Sequence, residues 1–300
     1  MKAQIIKPSP ALSGVIDNYM LVDIDWQRLA AEGAAAVASV WRLIPYGKVS
    51  MLFVYGDAHQ YSLEGAGDAM HKTRQAFLVG QLTKPIWLKF AGHTRLIKVQ
   101  FKAGGLSQLL PMNLDEFTNV PSLDLEAVWG RAANDLVAQL HEVGSDVHRV
   151  GLLNAFFEKR LQPRKDAIDY VEYTLSQLHR TGGKVAIKGL EEKLGISNRQ
   201  LERLFLAKVG LSAKQMGKII RLNGAFAQLE AQPALSMTSL SYELGYHDQA
   251  HFCHDFKAIA GVSPSKLLSQ SGGELFVTHG QCFLKQKPPG AALRQTPPAA

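Results

Sequence analysis

Two patterns of hydrophobic and polar positions divide the chain. Between Trp41 and Phe101, short runs rich in branched and aromatic residues recur: Val49–Gly56, Gln75–Leu82, Ile86–Phe90 and Thr94–Phe101. Gly, Asp, His and Pro separate them, and the repeat of about ten residues predicts an antiparallel sheet or small barrel. Residues 1–30 only mix short apolar runs with polar breaks, and Lys102–Gly105 reads as a turn. After Pro121 the period changes. Leu123, Leu125, Val128, Trp129, Ala132, Leu136 and Leu140 fall at helical spacing, with Pro121 and Ser122 as the start. Leu152, Leu153, Phe156, Phe157 and Leu161 form a second helical stripe. Gln162-Pro163-Arg164 reads as a hinge. From Ala167 to Gln270 the pattern is helical throughout, broken at Thr181–Lys184, Gly195, Gly210, Gln232–Pro233, Gly245 and Gly261.

The fold class predicted is therefore α+β. Residues 1–160 form a β-rich, barrel-like domain with flanking helices. Residues 161–270 form an all-α domain, and 271–300 a largely disordered Pro/Ala-rich tail whose first part could add a short strand. A chain of 300 residues has the length for two cores.

Within the helical part, one arrangement occurs twice. In Lys188–Val209, Gly195 turns between two short helices. Leu190 and Leu194 face inward from the first, Ile196 fills the corner, and Leu201 and Leu204 face inward from the second. Ser197 can cap the second helix, whose outer face carries Asn198, Arg199, Glu202 and Arg203. About fifty residues on, Leu240, Ser241 and Leu244 precede Gly245, Tyr246 fills the corner, and Phe252 and Phe256 face inward. This turn is one residue longer, and the outer face shows Gln249, Ala250, Cys253 and His254, with Lys257 near its end. Between the copies, Ser212–Glu230 reads as one long helix of roughly 25–30 Å. With the helix widths added, the two outer helices could reach major-groove segments ~34 Å apart. Arg can donate two hydrogen bonds to guanine and Asn can pair with adenine.

Leu190–Leu268 resembles the DNA-binding domain of the bacterial AraC/XylS regulators. LGISNRQLERLFLAKVGLSAKQMGKIIRL is similar to that family's first reading helix and linker, and LSYELGYHDQAHFCHDFKAIAGVSP to its diagnostic second half. The resemblance implies sequence-specific binding of double-stranded DNA. By position it implicates Arg199, Glu202, Arg203, Gln249, Ala250, Cys253 and His254 as the groove-facing set, to which the outer faces add Asn198 and Lys257 as DNA-binding candidates. His254 stands where an arginine is common, and His247 where a capping serine is common. IPYGKVSMLFVYG, FLVGQLTKPIWLKFAG, IKVQFKAGGLSQLL and LDLEAVWG are similar to a β-rich domain of uncharacterised role that precedes some of these regulators. A sensory or dimerising role is implied for it, with room for a small-molecule effector, a homodimer and contact with RNA polymerase.

Charge agrees with this. The net charge is +7 with a pI near 9.3; residues 1–160 contribute +1 and residues 161–270 contribute +4. Cys253 and Cys282 are too few for a disulfide framework, which fits a reducing cytoplasm. No apolar signal core opens the chain and no run of 18 apolar residues occurs, so no membrane segment is expected. Catalysis is not expected. No Gly-x-Ser-x-Gly elbow is present, and Gly65-Ala66-Gly67 and Gly104-Gly105 lack a phosphate-loop lysine. His59, His71 and His93 form no His-x-His pair and read as turn or surface residues. His247, His251, Cys253 and His254 could suggest a metal, but lack the glutamate of a zinc helix and read as structural or groove-facing. No cofactor is expected. Cys253 reads as inert rather than as a redox sensor. Two assignments stay open: the stripe Val128–Leu140 is a dimer face or a helix covering the sheet, and Trp41, Arg42, Tyr46, Tyr55, Trp87 and Phe101 line a pocket or fill the core.

Overall fold

The computed structural model describes residues 2–31, 40–65, 68–110, 112–162, 169–232, 235–269, 275–278 and 281–283. The hinge residues Pro163 and Arg164, the loop residues Ala66 and Gly67, and most of the 271–300 tail lie outside the described residues.

The chain begins with β1 (Lys2–Ile6), β2 (Ile16–Asp25) and α1 (Trp26–Ala31), then β3 (Trp41–Leu43), β4 (Ser50–Val54), β5 (Gln60–Ser62) and β6 (His71–Lys72). Next come β7 (Ala76–Val79), β8 (Ile86–Lys89), β9 (His93–Phe101) and β10 (Leu123–Asp124). Three helices follow: α2 (Leu125–Trp129), α3 (Arg131–Glu142) and α4 (Asp146–Glu158). The C-terminal region holds α5 (Tyr170–Arg180), α6 (Ile187–Leu194), α7 (Asn198–Val209), α8 (Ala213–Ala231), α9 (Met237–Glu243), α10 (Gln249–Ala260) and α11 (Pro264–Ser269). Strands β11 (Leu275–Thr278) and β12 (Gln281–Phe283) come last.

The strands make two sheets of six, ordered β1-β2-β9-β4-β7-β10 and β12-β11-β3-β8-β5-β6. The α+β class holds, but the expected barrel does not close. Among the described residues no ladder joins the edge strands of either sheet, so both sheets are open, the second carrying β11 and β12 from beyond the helices at its edge. Sheet one is antiparallel throughout. In sheet two, β11 runs parallel to β3, pairing Leu275–Val277 with Trp41–Leu43.

Strict alternation places the strands of sheet one. Met51 and Phe53 of β4, with Ile97, Val99 and Phe101 of β9, face the main core; Val54 and Leu96 face the other side beside Phe77. The main core is closed by Leu136 and Leu140 of α3 and Leu153, Phe156 and Phe157 of α4. The stripe from Val128 to Leu140 therefore covers sheet one. It is also not one helix. Leu123–Asp124 pairs with β7, and Asp124 caps α2 by accepting the Glu126 N–H. Gly130, at φ +58°, then separates α2 from α3.

Of the aromatic set, Tyr55 and Phe101 lie in the main core, Arg42 is buried with its guanidinium 5.3 Å from the Trp87 ring, and Trp41 packs edge-on against Trp26 and Phe90. Tyr46 borders a cavity shared with α5 and α8.

His59 differs from expectation. It is only 3 % exposed, its ring packed beside Phe77 and Phe90, and its Nδ1 meets no partner. Burial lowers its pKa from 6.5 to about 4. The folded pKa lies below the unfolded one, so this stabilisation is complete above pH 6.5 and is lost as pH falls towards 4. The loss amounts to about 3 kcal/mol in all, of which about 2 kcal/mol has gone by pH 5. His59→Leu should therefore flatten the acid side of the stability profile, measured by urea unfolding between pH 7 and 5. Parallel profiles for the two proteins would contradict this account.

Candidate nucleic-acid interface

Each of the two repeated units is built from local rules. In the first, α6 ends at Gly195, whose φ of +66° turns the chain left-handed. Ser197 adopts an extended conformation and its side chain accepts the Gln200 N–H, starting α7. Leu190, Leu201 and Phe205 are buried, while Leu194, Ile196 and Leu204 are half-buried. Phe205, fully buried, carries more of this core than the leucine pattern suggested. Gly210 ends α7 at φ +84°, and Ser212 opens α8 with a reciprocal capping box to Gln215. The nineteen residues of α8 make it about 28 Å long.

In the second unit, Ser236 caps α9, and Gly245 turns the corner at φ +79°. Leu240, Ser241, Leu244, Tyr246, Phe252 and Phe256 are all buried. The cap of α10 is not His247 but Asp248, whose carboxylate accepts the His251 N–H at 2.7 Å. The extra residue in this turn therefore places an acidic cap at a helix N-terminus, where its charge is favoured. His247 is free of that duty.

Asn198, Arg199, Glu202 and Arg203 are exposed on α7, opposite the buried Leu201 and Phe205. Gln249, Ala250, His254 and Lys257 are exposed on α10, and Cys253 is half-buried. Gln249 accepts a hydrogen bond from Thr238 at 2.8 Å, which ties the start of α10 to α9. Burial pushes the Cys253 thiol up, while a hydrogen bond from Gln249 opposes this, so it remains protonated at neutral pH. Among the described residues no group of three His, Cys, Asp or Glu side chains is placed to hold a metal ion. No helix there is long and apolar enough to cross a membrane.

A polar cluster that sequence reasoning missed joins α8 to α10. Asp255 is 4 % exposed and lies 2.7 Å from Lys218 Nζ, with the Tyr246 hydroxyl at 3.4 Å. Arg221 lies over the Tyr246 ring at 5.0 Å and donates to the Gly183 carbonyl. A signal existed, since Lys218 and Arg221 share a face of α8, but nothing in the spacing says that Asp255 turns inward. Among the described residues, Lys218→Met would leave the Asp255 carboxylate facing only the Tyr246 hydroxyl and the His251 and His254 rings, each 3.8 Å away. Removing one partner of a fully buried pair costs about 3–5 kcal/mol, and the partial exposure of Lys218 reduces this to about 2 kcal/mol. Urea unfolding checks it, and a change near zero would mean that the pair holds nothing.

The N-terminal half grips both units from behind. Thr118 Oγ1 donates to the Gly210 carbonyl, at the end of α7. Arg42 donates to the Ala260 carbonyl at 3.4 Å, at the end of α10. Ile44 joins the core of the C-terminal helices.

Comparison with known proteins agrees with this geometry. Residues 190–270 match the model of a helix-turn-helix domain, HTH_18, and residues 4–121 match a domain of unknown function, DUF6597. An uncharacterized HTH-type transcriptional regulator of Haemophilus influenzae is 29% identical over 126 residues, covering 42% of this chain and 39% of that protein. The chain thus spans about two-fifths of that relative's length. The Msm operon regulatory protein of Streptococcus mutans is 25% identical over 227 residues, 69% of this chain and 77% of that protein. Among solved structures, ToxT from Vibrio cholerae aligns over 76% of this chain and 96% of its own, with 12% identity and a TM-score of 0.39. Residues 190–270 are thus a helix-turn-helix domain of the AraC type and residues 4–121 match a domain of unknown function, in a chain similar to bacterial transcriptional regulators.

Proposed function

We propose that the protein reads two adjacent major-groove segments of double-stranded operator DNA, one with α7 and one with α10. The carrying observation is the pair of Gly-cornered, side-chain-capped units whose outer faces leave Asn198, Arg199, Glu202 and Arg203, then Gln249, Ala250, His254 and Lys257, exposed. Arg199 and Arg203 contact base edges on one segment. On the other, Gln249, Ala250, Cys253 and His254 face the bases, and Lys257 holds a phosphate.

Residues 1–160 act as the sensory or dimerising domain, 161–270 as the DNA-binding domain, and 271–300 as a tail. The N-terminal half sets the angle between the reading helices through Thr118 and Arg42, and so passes the state of an effector or of a homodimer to the DNA face or to RNA polymerase. The role is regulatory rather than catalytic, and its place is the bacterial cytoplasm. The name of the Streptococcus mutans relative, an operon regulatory protein, supports the same reading.

Binding to a selected operator, titrated from 50 to 200 mM salt, tests it. Phosphate contacts require affinity to fall steeply, roughly one power of salt for each phosphate neutralised. A flat response would remove the DNA contact.

A further inference from the structure

A polar joint connects the two reading units, where the turn between α5 and α6 meets α8 and the corner of the second unit. Arg221 of α8 donates through Nη1 to the Gly183 carbonyl at 2.5 Å, and its guanidinium lies over the Tyr246 ring at 5.0 Å. Lys184, the next residue of that turn, reaches across to the second unit: its Nζ donates to the Glu243 carbonyl at 2.5 Å, at the end of α9. Its stem lies along the corner itself, where a Cβ on Gly245 would stand 3.1 Å from both Cγ and Cδ of Lys184. Gly183 sits so close to α8 that a Cβ there would overlap the Gly217 carbonyl oxygen.

Three segments far apart in the chain share this joint: the lead into α6, the middle of α8 and the α9–α10 corner. The last carbonyls of a helix have no N–H partner within it, so a cation that donates to one is favoured by the hydrogen bond and by the helix dipole together. Lys184 does this for α9 from outside the second unit. Tyr246 carries the joint inwards, its hydroxyl 3.4 Å from Asp255 of α10, which Lys218 of α8 meets at 2.7 Å. The length of α8 sets the distance between the units. Lys184 and Arg221 act off its axis, on the corner from which α10 starts, and so oppose rotation of the second unit about that axis.

We infer that Lys184 and Arg221 are positioning residues that hold the angle between α7 and α10, and so determine which spacing between the two DNA blocks the protein accepts. Neither side chain has to touch a base for this. One base pair added between the blocks moves the second by about 3.4 Å along the duplex and turns it by about 35°. A rigid joint cannot follow that turn, so the duplex itself must twist or bend to restore the contacts. A loosened joint follows it at less cost. The Thr118 and Arg42 contacts lie at the other ends of α7 and α10, so the joint is a separate constraint, internal to the C-terminal helices. The inference rests on the proposed two-segment reading and adds what fixes the spacing of the segments.

The test takes the full-length protein, an operator selected from a random duplex pool, and the same operator with one base pair inserted or deleted between its blocks. The wild type should bind both altered operators about tenfold or more weakly, the cost of deforming the duplex. In Lys184→Met and in Arg221→Met that penalty should shrink to about threefold or less, as one charge-assisted hydrogen bond of the joint is lost. Lys184→Arg keeps a donor for the Glu243 carbonyl and should keep the wild-type penalty. Thermal melts establish that each variant is folded; Lys184 is exposed, so its substitution leaves the core intact. A variant that only loses stability, or a Lys184 that only holds a phosphate, would weaken all three operators alike and leave the penalty unchanged. That result in either folded methionine variant would overturn the inference. A wild type that binds the three operators equally would overturn it as well, with the DNA-binding reading intact. A pool that yields no two-block motif would instead overturn the reading it rests on, and the inference with it.

Discussion

Arg203→Ala is expected to weaken operator binding about five- to hundredfold and to relax base preference at one position of one block. Arg203 lies on the exposed face of α7, while Leu201 and Phe205 on the opposite side fix that helix on its core. A guanidinium held there can donate two parallel hydrogen bonds to a guanine edge. Each such pair discriminates against the wrong base by about 1–3 kcal/mol, which converts to the range given. The loss should be confined to sequences carrying that base. Lys257→Ala, near the end of α10, should behave differently: affinity falls alike for all sequences and the salt dependence shrinks by about one power. Binding curves for a selected operator and for single-base variants of it separate the two. An unchanged affinity and an unchanged preference in Arg203→Ala would take that residue out of the interface.

The second large effect is on stability. Phe256 is 1 % exposed and packs on Phe226 of α8 at 5.3 Å and on Phe252 at 5.7 Å between ring centroids. Phe256→Ala removes the ring that joins α10 to the linker helix. The cost of such a truncation in a packed core is about 3–5 kcal/mol, a large part of the stability of a small domain. Phe256 sits at the centre of the apolar contacts, with Phe252, Ile259 and Ala260, that hold α10 in the C-terminal core beside the Lys218–Asp255 pair. The variant should therefore unfold at lower urea and keep only the DNA block read by α7. Wild-type unfolding, or full recognition of both blocks, would show that α10 is held by something other than this aromatic stack.

The DNA-binding half was legible because its signals are local. Gly195 and Gly245 mark corners that need a left-handed backbone, Ser197 and Ser212 mark caps, and the leucines and phenylalanines between them mark one buried face. What escaped was non-local or out of phase. Strand β2 carries a bulge between Ile16 and Asn18, which shifts the inward positions from Ile16 to Tyr19 and Leu21 and breaks the period of two. The pairing of β11 with β3 joins residues far apart in the chain, and no periodicity reports it. The helix expected from Leu123 to Leu140 hid both a strand and a glycine break, since an apolar stripe shows the face and not the start. His59 carries no sign in sequence of its burial beside Phe77 and Phe90. In the second unit the longer turn puts the cap one residue on, at Asp248, rather than at His247, where the resemblance has a capping serine.

The central claim is that both units read DNA. Selection of bound sequences from a random duplex pool by the full-length protein, at near-physiological salt, tests it most directly. The account predicts an enriched motif with two short blocks about one helical turn apart. A motif with a single block, or no enrichment by either the full chain or residues 161–300 alone, would contradict it.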